Sequence, residues 1–515
     1  MDIKSQVCVP VCAESVREMA AALQRSTDLC DLVELRLDCL EPSELKNVAS
    51  VSEVLAQAKR PSIVTYRPAE QGGKRQLDAK SRLLFWIFNR PEADFFDIEF
   101  DIATTPALFD RGRQLDWSRV ICSYHNFVGV PVNLLEIYDR ISVSPARILK
   151  VAVQADDATD CIPLFQLMER AAKNRRATIA IAMGSAGVAT RILGPSRGGF
   201  LVYASADKQS AIAPGQISVK DLREVYRIDK LNPRTAITGL MGHPVVHSIS
   251  SRIHNAAFHD SDENAVYIPF DVKDAGAFLR RMVHPTTREV DWNMLGLSVT
   301  APHKRAVIAH LDSVDSESQA IGAVNTIVAE KGKLRGYNTD WRGFIKPLEE
   351  KLGDLSDVRC AVIGTGGAAA AAIFALSSRL AAVTVFARDA TKAEELHERF
   401  DVEWERIDEA HFGAFDAVIN ATPLGTSGSN EQSTPALASQ LAGARLAYDL
   451  VYNPTDTLFL REARKAGCDT LNGLPMLIAQ AAEQFKLWTG KDAPLEVMRD
   501  AAKKAFKEMP WLEVL

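Results

Sequence analysis

Eight short apolar runs recur along the first two hundred residues: QVCVPV, LVELRLD, SIVTYR, FFDIEF, RVICSYH, RILKVAV, ATIAIAM and FLVYAS. Each has the length and composition of a buried strand, and segments of helical period such as SVREMAAALQRS and KSRLLFWIFNR lie between them. Strands that alternate with helices pair in parallel, because the crossover helix returns the chain to the same end of the sheet. Eight such units in about 225 residues predict a (β/α)8 barrel as the first half of an α/β chain.

A barrel of this kind builds its active site at the C-terminal ends of its strands. Glu34, Arg36 and Asp38 close the second run, Arg67 closes the third, Glu99 sits late in the fourth and His125 ends the fifth. Lys150 interrupts the sixth, in the middle of an aliphatic strand. Desolvation disfavours an ammonium group and leaves an amine able to attack a carbonyl, whereas a lysine near a strand end can also simply snorkel to solvent. Singly, Glu34 and Arg36 fit a structural ion pair and His125 a hydrogen-bonded core histidine. Their recurrence on successive strands points instead to one site. It would hold a lysine for imine formation, a histidine for proton transfer, and carboxylates and arginines for a polar anionic substrate.

In order along residues 1–225, VELRLD, TYRPAEQGG, SYHNF, the strand lysine, MGSAGVATR and APGQ resemble the type I 3-dehydroquinate dehydratases. The resemblance implies that Lys150 forms a Schiff base with the ketone of 3-dehydroquinate, the iminium then acting as electron sink for the adjacent carbanion. His125 would remove the neighbouring proton and later protonate the departing hydroxyl, with Glu99 orienting it. Glu34, Arg36, Arg67 and Arg191 would hold the hydroxyls and carboxylate, and Met183 would pack against the ring. Gln216 would come from a closing loop, although the small residues of that loop fit plain surface mobility equally well. Ile212 stands where the family commonly has serine.

A charged segment containing a proline, VKDLREVYRIDKLNPRTAI, marks a boundary near residue 230. The strands TAITGLMG, AVYIPF and MLGLSVT follow, then AVNTIVAEKGKLRGYN, whose KG pair predicts a hairpin turn within a compact α/β unit. VRCAVIGTGGAAAAAIFAL then reads as strand, glycine turn and helix, in which Gly364, Gly366 and Gly367 let the backbone approach a pyrophosphate at a helix N-terminus. AVTVFAR supplies the next strand. Arg388 at its end favours the extra phosphate of NADP, with Asp389 beside it opposing that charge.

HSISSRIHN, SVTAPHK, AVNT, GYNTDWRG, NATPLG, YDLVYNPTDT and NGLPMLIAQAAEQFKLWTG resemble shikimate dehydrogenase across residues 235–510. The resemblance implies a catalytic dyad of Lys304 and Asp340, with Lys304 handling the proton that accompanies hydride transfer. It assigns Ser248, Ser250, Thr300, Asn325, Thr339, Tyr452 and Gln480 to the substrate, and Ala368 and Thr422 to the nucleotide. A lysine and an aspartate on separate loops also fit a simple exposed ion pair, but their placement between hydroxyl-bearing loops and a dinucleotide fold favours a dehydrogenase pair. Ser251, Ser298 and Pro475 depart from the residues common in the family, as do Ala387 and Asp389 around Arg388.

The expected architecture is thus a barrel over 1–228, a substrate domain over 235–338, a Rossmann domain over 339–475, and C-terminal helices from about 476–515 packing back on the substrate domain. The expected function is dehydration of 3-dehydroquinate followed by NADPH-dependent reduction of 3-dehydroshikimate to shikimate. The alternatives are a quinate dehydrogenase using NAD, and a sensor of the same small molecules that lacks turnover. A net charge of −6 gives no reason to expect nucleic acid or anionic membrane as a partner. No run approaches the eighteen or so apolar residues of a membrane span, and MDIKSQVCVPVCAES has no signal-peptide pattern, so the expected location is cytoplasmic. The eight cysteines lack zinc-site spacing, no metal is expected, and the nearest pair, Cys8 and Cys12, reads as buried free thiols. Nothing in the sequence sets the oligomeric state.

Overall fold

The eight apolar runs become eight parallel strands: β1 Val7–Val11, β2 Leu32–Arg36, β3 Ser62–Thr65, β4 Phe95–Glu99, β5 Val120–Asn126, β6 Ile148–Gln154, β7 Ala177–Met183 and β8 Val202–Tyr203. The structure is a computed structural model describing residues 6–508, apart from 47, 111–114, 208–212, 214, 246–247 and 429. Ile212 lies outside the described residues.

The sheet runs β7-β6-β5-β4-β3-β2-β1-β8. It comes close to closure where Phe200, ahead of β8, donates its backbone N–H to the Thr178 carbonyl of β7 at 2.8 Å. Alternation sends every second side chain inward. Cys8, Leu32, Ile63, Ile121, Ile148 and Ile179 pack in one apolar cluster of the barrel. Two residues further along β2, β3, β5 and β6 the inward positions turn polar, as Glu34, Thr65, Ser123 and Lys150.

Cys12 does not remain a thiol. It forms a disulfide with Cys39, 27 residues away, across a Cα–Cα distance of 5.4 Å. Cys8 is free and buried. Neighbours in sequence mislead here, because β1 and β2 pair with Val11 opposite Leu35, so the residues just past the two strand ends meet.

The chain divides into two compact units: Met1–Thr235 with Ile268–Met282 and Arg288–Asn293, and Ala236–Tyr267 with Val283–Thr287 and Met294–Leu515. Beyond the barrel, β9 Ala236–Gly242, β10 Ala265–Asp271, β11 Asn293–Val299, β12 Ser313–Val314, β13 Thr326–Glu330 and β14 Lys333–Tyr337 form a mixed sheet in the order β10-β9-β11-β13-β14-β12. The β13–β14 hairpin turns on Lys331 and Gly332, both at positive φ (49° and 79°), as a two-residue turn matched to strand twist requires.

The third sheet comprises β15 Arg359–Ile363, β16 Ala382–Ala387, β17 Glu403–Arg406, β18 Ala417–Asn420, β19 Leu446–Asp449 and β20 Asp469–Leu471. Its strands are parallel in the order β17-β16-β15-β18-β19-β20. Chain direction across the sheet reverses between β15 and β18, and a doubly wound sheet binds its ligand at that switch point. Pro475 stands in the first turn of the helix Leu474–Thr489, where a missing N–H breaks no helical hydrogen bond.

Candidate active sites

Lys150 is 5 % exposed and heavily countered. Its Nζ donates to Asp97 Oδ2 at 2.8 Å and to the Tyr203 hydroxyl at 3.1 Å, and lies 4.0 Å from Glu34 Oε1. Lys150, Glu34, Arg36, Arg67 and His125 all line a cavity of about 90 Å³. Met183, Arg191 and Gln216 line its remaining sides, so seven of the eight dehydratase-side residues inferred from sequence other than Lys150 meet it there.

The exception is Glu99. It is fully buried behind the cavity, where it accepts from Arg82 at 3.3 Å and stands 4.0 Å from Arg67. His125 does not contact it directly. Both ring nitrogens of His125 face Arg67 Nη1, and a guanidinium donating to the ring requires an unprotonated nitrogen there. The link between Glu99 and His125 therefore runs through Arg67.

Electrostatics in this cavity follow from burial and pairing. Burial, with Arg67 and Lys150 nearby, holds His125 well below the ordinary imidazole range. Burial alone would raise the Asp97 carboxyl, but Arg67, at 2.7 Å, and Lys150 hold it well below the carboxylate range. Burial pushes Glu99 up to about 7 against the pull of Arg67 and Arg82. Burial lowers the Arg191 guanidinium to about 10.

Asp97 and Tyr203 are the close partners of Lys150 that sequence reasoning missed. The signal for Asp97 was present: Asp97 and Glu99 share the inward face of FFDIEF. Asp38 serves Arg36 instead, accepting from its Nε at 2.9 Å and its Nη2 at 2.8 Å, while Nη2 also donates to the Gly72 carbonyl at 3.0 Å.

In the second unit Lys304 Nζ donates to Asp340 Oδ2 at 2.6 Å. Asn325 Nδ2 donates to the other Asp340 oxygen at 2.7 Å and to Thr339 Oγ1 at 3.0 Å. Lys304, Asp340 and Asn325 line a cleft of about 800 Å³. Ser248, Ser250, Thr300, Tyr452 and Gln480 line the same cleft. Thr339 is buried beneath it and acts on Asn325. Ser298 donates to Gln484 Oε1 at 2.8 Å, and Gln484 donates to Thr326 Oγ1 at 3.0 Å. The serine thus joins a buried polar network, and both it and Gln484 line the cleft.

Gly366, Gly367, Ala368 and Thr422 line the cleft as well. Gly364 does not, but its φ of 121° makes the turn out of β15. A Cβ on Gly366 would meet nothing within 4 Å, leaving open space at the start of the helix Gly367–Ser377. That bare, helix-facing cradle fits a dinucleotide pyrophosphate. Arg388 is exposed at the end of β16 and lies outside the lining, whereas Lys392 lines the cleft. Asp389 is occupied as N-cap of the next helix, accepting from the Lys392 backbone at 3.3 Å.

A buried amine in a barrel mouth and a Lys–Asp pair opening toward a dinucleotide fold place this chain among α/β enzymes with two separate sites. Comparison with known proteins narrows the class. Residues 7–233 match the type I 3-dehydroquinase family, 240–327 the shikimate dehydrogenase substrate binding domain, 347–450 the shikimate / quinate 5-dehydrogenase family and 473–503 the shikimate 5'-dehydrogenase C-terminal domain. A chloroplastic bifunctional 3-dehydroquinate dehydratase/shikimate dehydrogenase from Arabidopsis thaliana is 33% identical over 96% of this chain and 83% of its own length. Shikimate dehydrogenase (NADP(+)) of Methanocaldococcus jannaschii is 39% identical over 53% of this chain and 97% of its own. A solved shikimate dehydrogenase in complex with NADP+ superposes with a TM-score of 0.50 at 37% identity, covering 53% of this chain and 96% of that one. The chain belongs to the family of bifunctional 3-dehydroquinate dehydratase/shikimate dehydrogenases. It is a shikimate-pathway enzyme with a lyase half and an NADP-dependent oxidoreductase half.

Proposed function

We propose that Lys150 attacks the ketone of 3-dehydroquinate and carries it as an imine while water is lost. Asp97 stabilises the cationic nitrogen, and His125, neutral because it is buried beside Arg67 and Lys150, takes the proton from the adjacent carbon and returns it to the departing hydroxyl. Glu34, Arg36, Arg67 and Arg191 bind hydroxyls and carboxylate, Met183 packs against the ring, Gln216 covers it, and Glu99 fixes Arg67 against His125. The observation that carries this reading is a lysine only 5 % exposed that nevertheless opens on a cavity shared with His125 and three arginines.

In the second half Ser248, Ser250, Thr300, Asn325, Tyr452 and Gln480 hold 3-dehydroshikimate, with Thr339 supporting Asn325. Gly364, Gly366, Gly367, Ala368 and Thr422 hold NADPH, and Arg388 and Lys392 serve its extra phosphate. NADPH, when bound, supplies the hydride. Lys304 gives a proton to the substrate oxygen, and Asp340 holds the lysine in place. The domain bounds that go with this reading are 1–228, 235–338 and 339–475, with the helices from about 476–515 completing the substrate domain. The working location is the cytoplasm, and the partners are the small molecules themselves.

The test is NADPH oxidation by the purified chain given 3-dehydroquinate alone. Steady loss of NADPH supports both halves of the reading. Silence that breaks on adding 3-dehydroshikimate sinks the barrel half, and silence that breaks only with NADH or on the quinate side replaces the assignment of the second.

A further inference from the structure

We propose that Tyr203 is a catalytic residue of the dehydratase site, its hydroxyl relaying a proton from Lys150 Nζ to the ketone oxygen as the carbinolamine forms. The proposal rests on Lys150 being the imine-forming amine. Tyr203 ends β8, and its hydroxyl receives a hydrogen bond from Lys150 Nζ at 3.1 Å. The same nitrogen sits 4.1 Å from the centroid of the Tyr203 ring, so the ring face also favours a positively charged nitrogen. Both residues line the cavity.

The other groups near Nζ do not fit this task. Asp97, held ionised by Arg67 and Lys150, accepts hydrogen bonds and has no proton to give. Glu34 Oε1 is 4.0 Å from Nζ and accepts from Thr65 Oγ1 at 2.6 Å. His125 faces Arg67. A phenol hydroxyl is both donor and acceptor. Burial pushes the Tyr203 phenol well above its ordinary value, so it stays protonated and acts by exchange rather than by net gain or loss.

From Lys150 as the free amine, its ammonium proton already passed to solvent, the step balances without any outside reagent. The Nζ lone pair forms the N–C bond as the C=O π pair moves to oxygen, leaving a positive nitrogen and a negative oxygen. The phenol oxygen takes one proton from the nitrogen while its own proton passes to the substrate oxygen. A neutral carbinolamine and an intact phenol result, with no change of oxidation state. The reverse path serves product release.

The experiment is a single turnover of the full chain with 3-dehydroquinate, quenched with borohydride at intervals and read as the mass of the adduct on Lys150. Tyr203→Phe keeps the ring and removes the hydroxyl, and its adduct should form about 10²-fold more slowly. Reduction of 3-dehydroshikimate by the second half should be unchanged in that variant. In the unaltered chain, a relay moving two protons makes the trapping rate fall along a curve as H2O is replaced by D2O, a readout that does not depend on how the variant folds. Adduct formation in Tyr203→Phe at the unaltered rate, or a straight-line dependence on D2O, overturns the role of Tyr203 and leaves Lys150 standing. Absence of any adduct on Lys150 in the unaltered chain overturns the lysine reading and this proposal together.

Discussion

At the scale of single residues the two lysines divide the chemistry. Lys150→Ala should lower dehydration of 3-dehydroquinate by at least about 10⁴-fold while reduction of added 3-dehydroshikimate continues. Lys304→Ala should do the converse, and separate assays of the two steps check both. His125 gives a pH signature. Its imidazole is depressed by burial, then by Arg67 and Lys150, with Asp97 opposing them and Arg36 adding a smaller push. A base with a lowered pKa remains unprotonated further into acid, so the acidic limb of kcat/KM for dehydration should lie below the pH near 6.5 at which a free histidine would lose activity. Arg67→Met removes the largest charge that depresses His125, so it should move that limb to higher pH, and a profile from pH 5 to 8 reads the direction. Lys150 is legible in the sequence because it breaks the aliphatic alternation of RILKVAV. Asp97 is less so: FFDIEF offers two acids on one face, and which of them meets a lysine across the intervening β5 depends on strand register and tilt, which one strand read alone does not contain.

At the scale of elements, the barrel strands and the Rossmann turn are written in periodicity and glycine spacing, and they can be disturbed separately. Gly364 holds a φ of 121°, and an added Cβ would meet the Ala421 carbonyl oxygen at 3.1 Å. Gly364→Ala should therefore cost about 1–3 kcal/mol of stability, read as a fall in the denaturant midpoint. Gly366 has an ordinary φ of −82° and open space around its missing Cβ. Gly366→Val should leave the unfolding transition in place but weaken NADPH binding about tenfold or more, because the side chain fills the cradle at the helix start. A matching loss of stability at both glycines would refute this division. Two element-level features escaped sequence reading for a shared reason. The Cys12–Cys39 bond depends on which strand ends lie side by side. Of the two cations that follow β16, Lys392, in the first turn of the helix Ala390–Phe400, lines the cleft, and Arg388 at the strand end does not.

At the scale of the whole chain, completeness of each site within its own unit has a consequence. The dehydratase cavity is lined by residues from Pro10 to Gln216, and the dehydrogenase cleft by residues from Leu240 to Gln484. Among the described residues neither lining borrows from the other half. A chain with Lys150→Ala and a chain with Lys304→Ala should then complement one another as separate molecules, since 3-dehydroshikimate released by the second is substrate for the first. With 3-dehydroquinate and NADPH supplied, each variant alone should be silent, and the mixture should oxidise NADPH after a lag in which the intermediate accumulates in solution. The lag should shorten as the Lys150→Ala chain is raised, because that chain's capacity to consume the intermediate sets how fast supply and consumption balance, and raising the Lys304→Ala chain should raise the final rate instead. A mixture that stays silent, while each variant retains its own surviving half-reaction, would mean that the intermediate does not leave the chain that made it.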